Sequence, residues 1–149
     1  MKRLFCAAAV LVGAAACLSP GSTQYLPLDN VPPQLVSITP DLGSDGGFQQ
    51  FPPTQIFEIT FSEPMDTGSL RPGIVVRNVA REEQLLEVHA PDIPPSLSDP
   101  DFAFPVRISS YADAGFAPGA YQLILRTLLI DQQGNQLPSE FRAAFLIAN

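Results

Sequence analysis

The chain has 149 residues, a net charge of −7, 16 prolines, two cysteines and no tryptophan. That length suits one domain with a real core. An acidic surface repels phosphate backbones, which excludes nucleic acid as a partner. It equally repels anionic headgroups, so a link to a membrane has to be covalent rather than polybasic.

Residues 1–16 read as an export leader. Lys2 and Arg3 form a positive start, Leu4 to Val12 an apolar stretch, and Ala14 and Ala16 the small residues that signal peptidases read. The apolar run from Leu4 to Leu18 is 15 residues, short of the roughly 18–20 that a spanning helix needs. Two processing routes are open, and both cut before Cys17. The ordinary peptidase leaves a free thiol, whereas the lipoprotein peptidase leaves a lipid-bearing cysteine. Cys6 belongs to the leader, so Cys17 is left without a partner thiol in an oxidising compartment. Lipidation accounts for such a residue and an intramolecular disulfide does not. Ala14-Ala15-Ala16-Cys17 resembles the lipobox of bacterial lipoproteins, and that resemblance implies palmitate-type acylation at Cys17. With Leu18 rather than Asp after the cysteine, it also implies delivery to the outer membrane of an envelope that has one.

Residues 17–33 are the lipidated N-terminus and a tether, "LSPGSTQYLPLDNVPP", with neither helical nor strand period. From residue 34 to 149 the pattern has period two. In "QIFEITFS", Phe57, Ile59 and Phe61 share one face and Glu58, Thr60 and Ser62 the other. In "AYQLILRT", Tyr121, Leu123 and Leu125 oppose Gln122 and Arg126. Phe141, Ala143, Phe145 and Ile147 repeat the alternation, with Ile56, Ile124 and Leu146 expected to point away from that interior. Shorter candidates are Val36 with Ile38, Ile74 to Val79, Leu85 to Ala90 and Phe104 to Ile108. Turn-rich clusters separate them, and no window sustains i, i+3, i+4 apolar spacing. The expectation is an all-β, two-sheet antiparallel sandwich of about seven strands.

Three stretches carry a family resemblance: "LVSITPDLGSDGG", "IFEITFSEPMDTGSL" and "PGAYQLILRTLLIDQQGNQLPSEFRAAFLIA". In order and spacing they resemble the bacterial Ig-like domain of the SbsA type, across Leu35 to Ala148. The middle, from Asn78 to Ser110, departs from the pattern and contains an enlarged Pro- and Asp-rich loop at 91–105. The resemblance implies an Ig-like β-sandwich and a surface or cell-wall module, usually repeated or joined to larger proteins.

Catalytic chemistry is poorly supplied. His89 is the single histidine, beside Glu87 in a strand pattern, and reads as an exposed strand residue rather than a general base. Nucleophile-elbow, zinc-protease and paired Cys/His motifs are missing from the sequence, so no enzyme activity and no cofactor are expected. "DQQGNQL" is the sharpest polar motif. Asp131 is placed to bond amides ahead of it, Gly134 to take positive φ and Asn135 to close the turn. Turn architecture is preferred there to a calcium site, for which Glu63, Asp66 and Asp131 are the candidates, with Asp92, Asp99 and Asp101 a weaker set. Tyr121, after "PG" at a strand start, resembles a tyrosine-corner residue. Phe102 and Phe104, among prolines, are the candidates for an apolar binding patch, against a reading in which they tuck the loop onto the sheet. The sequence therefore points to a lipid-anchored envelope protein with a structural or adhesive role toward envelope proteins or glycans. The alternative is a carbohydrate- or calcium-dependent binding module.

Overall fold

Alternating apolar side chains force each strand to bury one face, and two sheets do this against each other. The computed structural model describes residues 30–43, 48–91 and 103–149. One sheet has the order β1 (Leu35–Thr39), β3 (Phe57–Phe61), β6 (Phe104–Ser110), β5 (Leu86–His89), with every pair antiparallel. The other has β2 (Gln50–Phe51), β8 (Phe141–Ile147), β7 (Gly119–Leu125), β4 (Ile74–Asn78). A short helix, α1 (Thr67–Gly73), precedes β4.

The inward faces are those the alternation assigns. Phe57, Ile59, Phe61, Tyr121, Leu123, Phe145 and Ile147 are all buried in one shared cluster. An aromatic group sits at its centre. Phe145 lies 4.9 Å from Phe57 and stacks on Tyr121 at 5.7 Å, and Phe116 leans on Tyr121 at 5.6 Å. The Tyr121 hydroxyl donates to the Ala117 carbonyl at 2.8 Å, four residues upstream. This is a tyrosine corner that ties the approach to β7 onto the sandwich.

Four details differ from the sequence reading. β2 is an eighth strand, two residues long, and it pairs with β8 in parallel. The helix α1 is also new. At seven residues it is too short for a helical period to register, and it is defined instead by its cap: the Asp66 carboxylate accepts the Gly68 N–H and the Asp66 carbonyl accepts that of Ser69. In β1 the register slips between Leu35 and Ser37. This β-bulge leaves Val36 59% exposed while Leu35 and Ile38 pack on the core, so Val36 and Ile38 do not share a face as their spacing suggested.

The fourth is Ile124. It stands on the outer face of its sheet, as expected, yet only 1% of it is exposed. Its cross-strand partner Val75 is buried too. Arg77 shares the outer face of β4 with Val75, and Arg126 follows Ile124 two residues on. Both guanidinium groups reach one oxygen of Glu83, at 2.7 and 2.6 Å. Glu83 pairs alongside Arg77 beyond the edge of β4, so the Arg126 side chain crosses the outside of β4 where Val75 stands. The two hydrogen bonds also hold the Glu83 carboxyl below its ordinary pKa. Sequence spacing alone does not show this clamp, because its three members come from three separate segments.

Phe61→Ala is expected to cost about 3–5 kcal/mol in urea melts and Ile124→Ala about 2–5 kcal/mol, with Leu146→Ala clearly less than either. Equal losses for Phe61 and Leu146 would show the two faces of the sheets to be wrongly assigned.

Burial raises the Tyr121 pKa above its ordinary value. The folded state therefore holds this proton more tightly than the unfolded chain does. Its contribution is complete below about pH 10 and is lost as pH rises through the raised value. Stability measured against pH should fall on the alkaline side, and Tyr121→Phe should flatten that fall.

Candidate functional site

The loop after β3 and the loop after β7 meet. Met65 and Asp131 form an isolated antiparallel bridge, Asp66 N–H donates to the Ile130 carbonyl at 2.9 Å, and Gln132 N–H donates to the Pro64 carbonyl at 3.1 Å. The Ser69 hydroxyl completes the seam with bonds to Ile130 on both its carbonyl and its N–H. Two of the three calcium candidates, Asp66 and Asp131, are thus neighbours along the backbone.

Their carboxylates, however, serve their own turns. Asp131 is 1% exposed. Its Oδ1 accepts the N–H groups of Gln133 and Asn135, both at 2.8 Å, and its Oδ2 accepts the Asn135 side-chain amide at 2.7 Å. Gly134 lies at φ +93°, where a side chain would be strained. This is the turn as read from "DQQGN". Asp66 faces Gly68 at the start of α1. Among the described residues no three acidic, histidine or cysteine side chains group so as to hold a metal, and Glu63 does not bring a third carboxylate to this pair.

Of the two readings of Phe104, the structure bears out the one that turns it onto the sheet and removes it as a binding-patch candidate. It begins β6, pairs with Phe61 and is 2% exposed, so it is a core ring and offers no binding surface. The reason is register: strand pairing with β3 reaches back to Phe104 and turns its ring inward opposite Phe61. Cys17, Asp92, Asp99, Asp101 and Phe102 lie outside the described residues. His89 is exposed on the edge strand β5, with Nε2 3.7 Å from Glu87.

Two of the recesses formed by the described residues differ in character. The larger, about 620 Å³, lies along the open side of the sandwich between β1 and the first half of β8. Leu35, Val36, Phe48 and Phe141 give it apolar walls, and Asp41 and Arg142 add charge. Val36 and Phe48 are 59% and 63% exposed. The smaller recess, about 240 Å³, is formed by Pro53, Thr54, Ile56, Glu87 and the segment from Ser109 to Gly115. Neither was visible in the sequence, since each joins residues far apart along the chain. The signal available in the sequence was an aromatic residue within each of two turn-rich stretches, Phe48 for one recess and Tyr111 for the other.

Comparison with known proteins agrees with this architecture. Residues 29–145 match the family described as bacterial Ig-like domain, and the chain belongs to that family. A solved structure of domains 1–6 of the surface layer protein SbsC aligns over 78% of this chain, with 12% identity and a TM-score of 0.48. This chain spans 14% of that protein's length. No curated protein matches it.

Asp131→Ala strips a charged acceptor from two backbone amides and an asparagine, and is expected to cost about 1.5–3 kcal/mol. The loss should be the same with calcium or with chelator. A saturable rise in melting temperature with calcium, reversed by chelator and blunted in Asp131→Asn, would show instead that these acids hold the ion.

Proposed function

We propose that this chain is an exported lipoprotein of the bacterial envelope, anchored through Cys17, whose single Ig-like domain serves as an interaction module with a structural or adhesive role. A bacterial Ig-like domain is a structural rather than catalytic fold, which supports a role in contact and support rather than turnover. The carrying observation is Cys17 itself. It follows an apolar leader directly, stands ahead of the domain, and is the last cysteine in the sequence. No helix among the described residues is long and apolar enough to cross a membrane. Leu18 in place of Asp supports an outer-membrane destination where the organism has such a membrane. The acidic balance of the chain fits a domain held off an anionic surface by its tether instead of lying against it.

Detergent-phase partitioning tests the anchor. The wild type should enter the detergent phase and Cys17→Ser should stay in the aqueous phase. Acyl chains contribute about 0.8 kcal/mol per buried CH₂, so more than one chain anchors stably. A mature wild type that is fully aqueous, with an unmodified Cys17 by mass spectrometry, would overturn the proposal.

A further inference from the structure

The geometry points to a binding site for one neutral hexopyranose ring in the smaller recess, at the end of the outer face of the β1-β3-β6-β5 sheet. This rests on the reading of the domain as a binding module, but not on the anchor.

The register builds the floor. Glu87 pairs with Ser109 across β5 and β6. Ile108 pairs with Phe57, which puts Ile56 beside Ser109 on the other flank. Inward residues of β6 are Phe104, Val106 and Ile108, so Ser109 faces out, and Tyr111 follows two residues later just past the strand end. Tyr111 is 63% exposed and Ile56 is 54% exposed. An apolar floor and an aromatic ring therefore stand beside a carboxylate and a hydroxyl.

The wall is held in place. Tyr111 N–H donates to the Leu85 carbonyl at 3.0 Å, Gly115 N–H to Ala112 at 2.8 Å and Phe116 N–H to Pro53 at 2.9 Å. Gly115 sits at φ +80°, and a Cβ there would come within 2.2 Å of the Pro53 carbonyl oxygen. Only glycine lets the 111–116 loop close onto the turn at Pro53 and Thr54. Phe116 beyond it is buried in the core. The recess is thus formed before any ligand arrives, which spares the cost of ordering a loop on binding.

The chemistry of the lining selects the ligand. The aromatic face of Tyr111 carries negative quadrupole charge and suits the slightly positive C–H face of a sugar ring. Around it stand the carboxylates of Glu87 and Asp113 and the hydroxyls of Ser109 and Thr54, groups suited to the alternating hydroxyls of a pyranose. The Asp113 and Thr54 side chains are exposed and line the recess with Ser109. The volume falls below the roughly 300–1,000 Å³ of pockets for drug-sized molecules, which fits a single ring. Two carboxylates facing the recess disfavour phosphates and acidic sugars by direct repulsion.

The test uses the mature lipoprotein in a polyoxyethylene detergent free of sugar and charge. Saturation-transfer NMR and calorimetric titration are run with methyl α-glucopyranoside, methyl α-mannopyranoside and methyl N-acetyl-β-glucosaminide. Methyl glucuronide and methylammonium are the controls. At least one neutral glycoside should bind saturably, with its ring C–H signals most affected. Tyr111→Ala and Asp113→Asn should each weaken it about tenfold or more while leaving the urea midpoint unchanged, since both positions are exposed. Binding by none of the three glycosides overturns the inference. So does undiminished binding in Tyr111→Ala, or binding of glucuronide or methylammonium as tight as that of the best neutral glycoside. Detergent-phase partitioning of the same preparation reports the anchor separately, so failure of the sugar site is distinguishable from failure of the lipoprotein reading.

Discussion

The ring of Phe145, in the middle of the β2-β8-β7-β4 sheet, meets Phe57 from the opposite sheet at 4.9 Å, Phe51 of β2 at 6.2 Å, Phe116 at 6.4 Å and Tyr121 at 5.7 Å. Aromatic pairs at such separations contribute about 0.5–1.5 kcal/mol each beyond their area. Their larger consequence is positional. The two-residue strand β2 has little pairing of its own, and Phe51 gives it a reason to stay against β8. Phe116 anchors the far end of the 111–116 loop, while the Tyr121 hydroxyl fixes the turn that leads into β7. A single packed cluster thus sets the sheet spacing, one strand edge and two loops.

Polar groups divide the remaining labour. Asp131 is buried and its bonds to amides of its own turn satisfy it, which is what permits a carboxylate in so dry a place. Through the Met65–Asp131 bridge the same turn is sewn to the loop that starts α1. Elsewhere the charges lie on outer faces. The Arg107–Glu58 pair is well exposed and contributes little. The arginine pair on Glu83 joins β4, the end of β7 and the 82–84 segment, whose backbone bonds to Val76 and Asn78 and so occupies the edge of β4. That edge would otherwise present unpaired backbone groups to another chain.

These features place the recesses away from the interior. The open side between β1 and β8 is apolar because the β-bulge turns Val36 outward and Phe48 stands at its rim. The recess around Tyr111 is polar because it is built on the outer face of the other sheet, where Glu87 and Ser109 must point to water.

Much of the fold was legible in the sequence for a local reason. Period-two alternation, as in Phe57-Ile59-Phe61 and Tyr121-Leu123-Leu125, is imposed on each strand separately and can be read there. "DQQGN" was legible too, because every bond of that turn joins residues no more than four apart. The order of strands, the parallel pairing of β2, the burial of Ile124 and the inward position of Phe104 were decided only in three dimensions. Each depends on a partner distant in the chain: β8 for β2, Val75 for Ile124, Phe61 for Phe104. The recess at Tyr111 belongs to this second class. Its aromatic ring, carboxylates and hydroxyls come from three segments, and only the register of β3, β5 and β6, with the closure of Gly115 onto Pro53, brings them to one place.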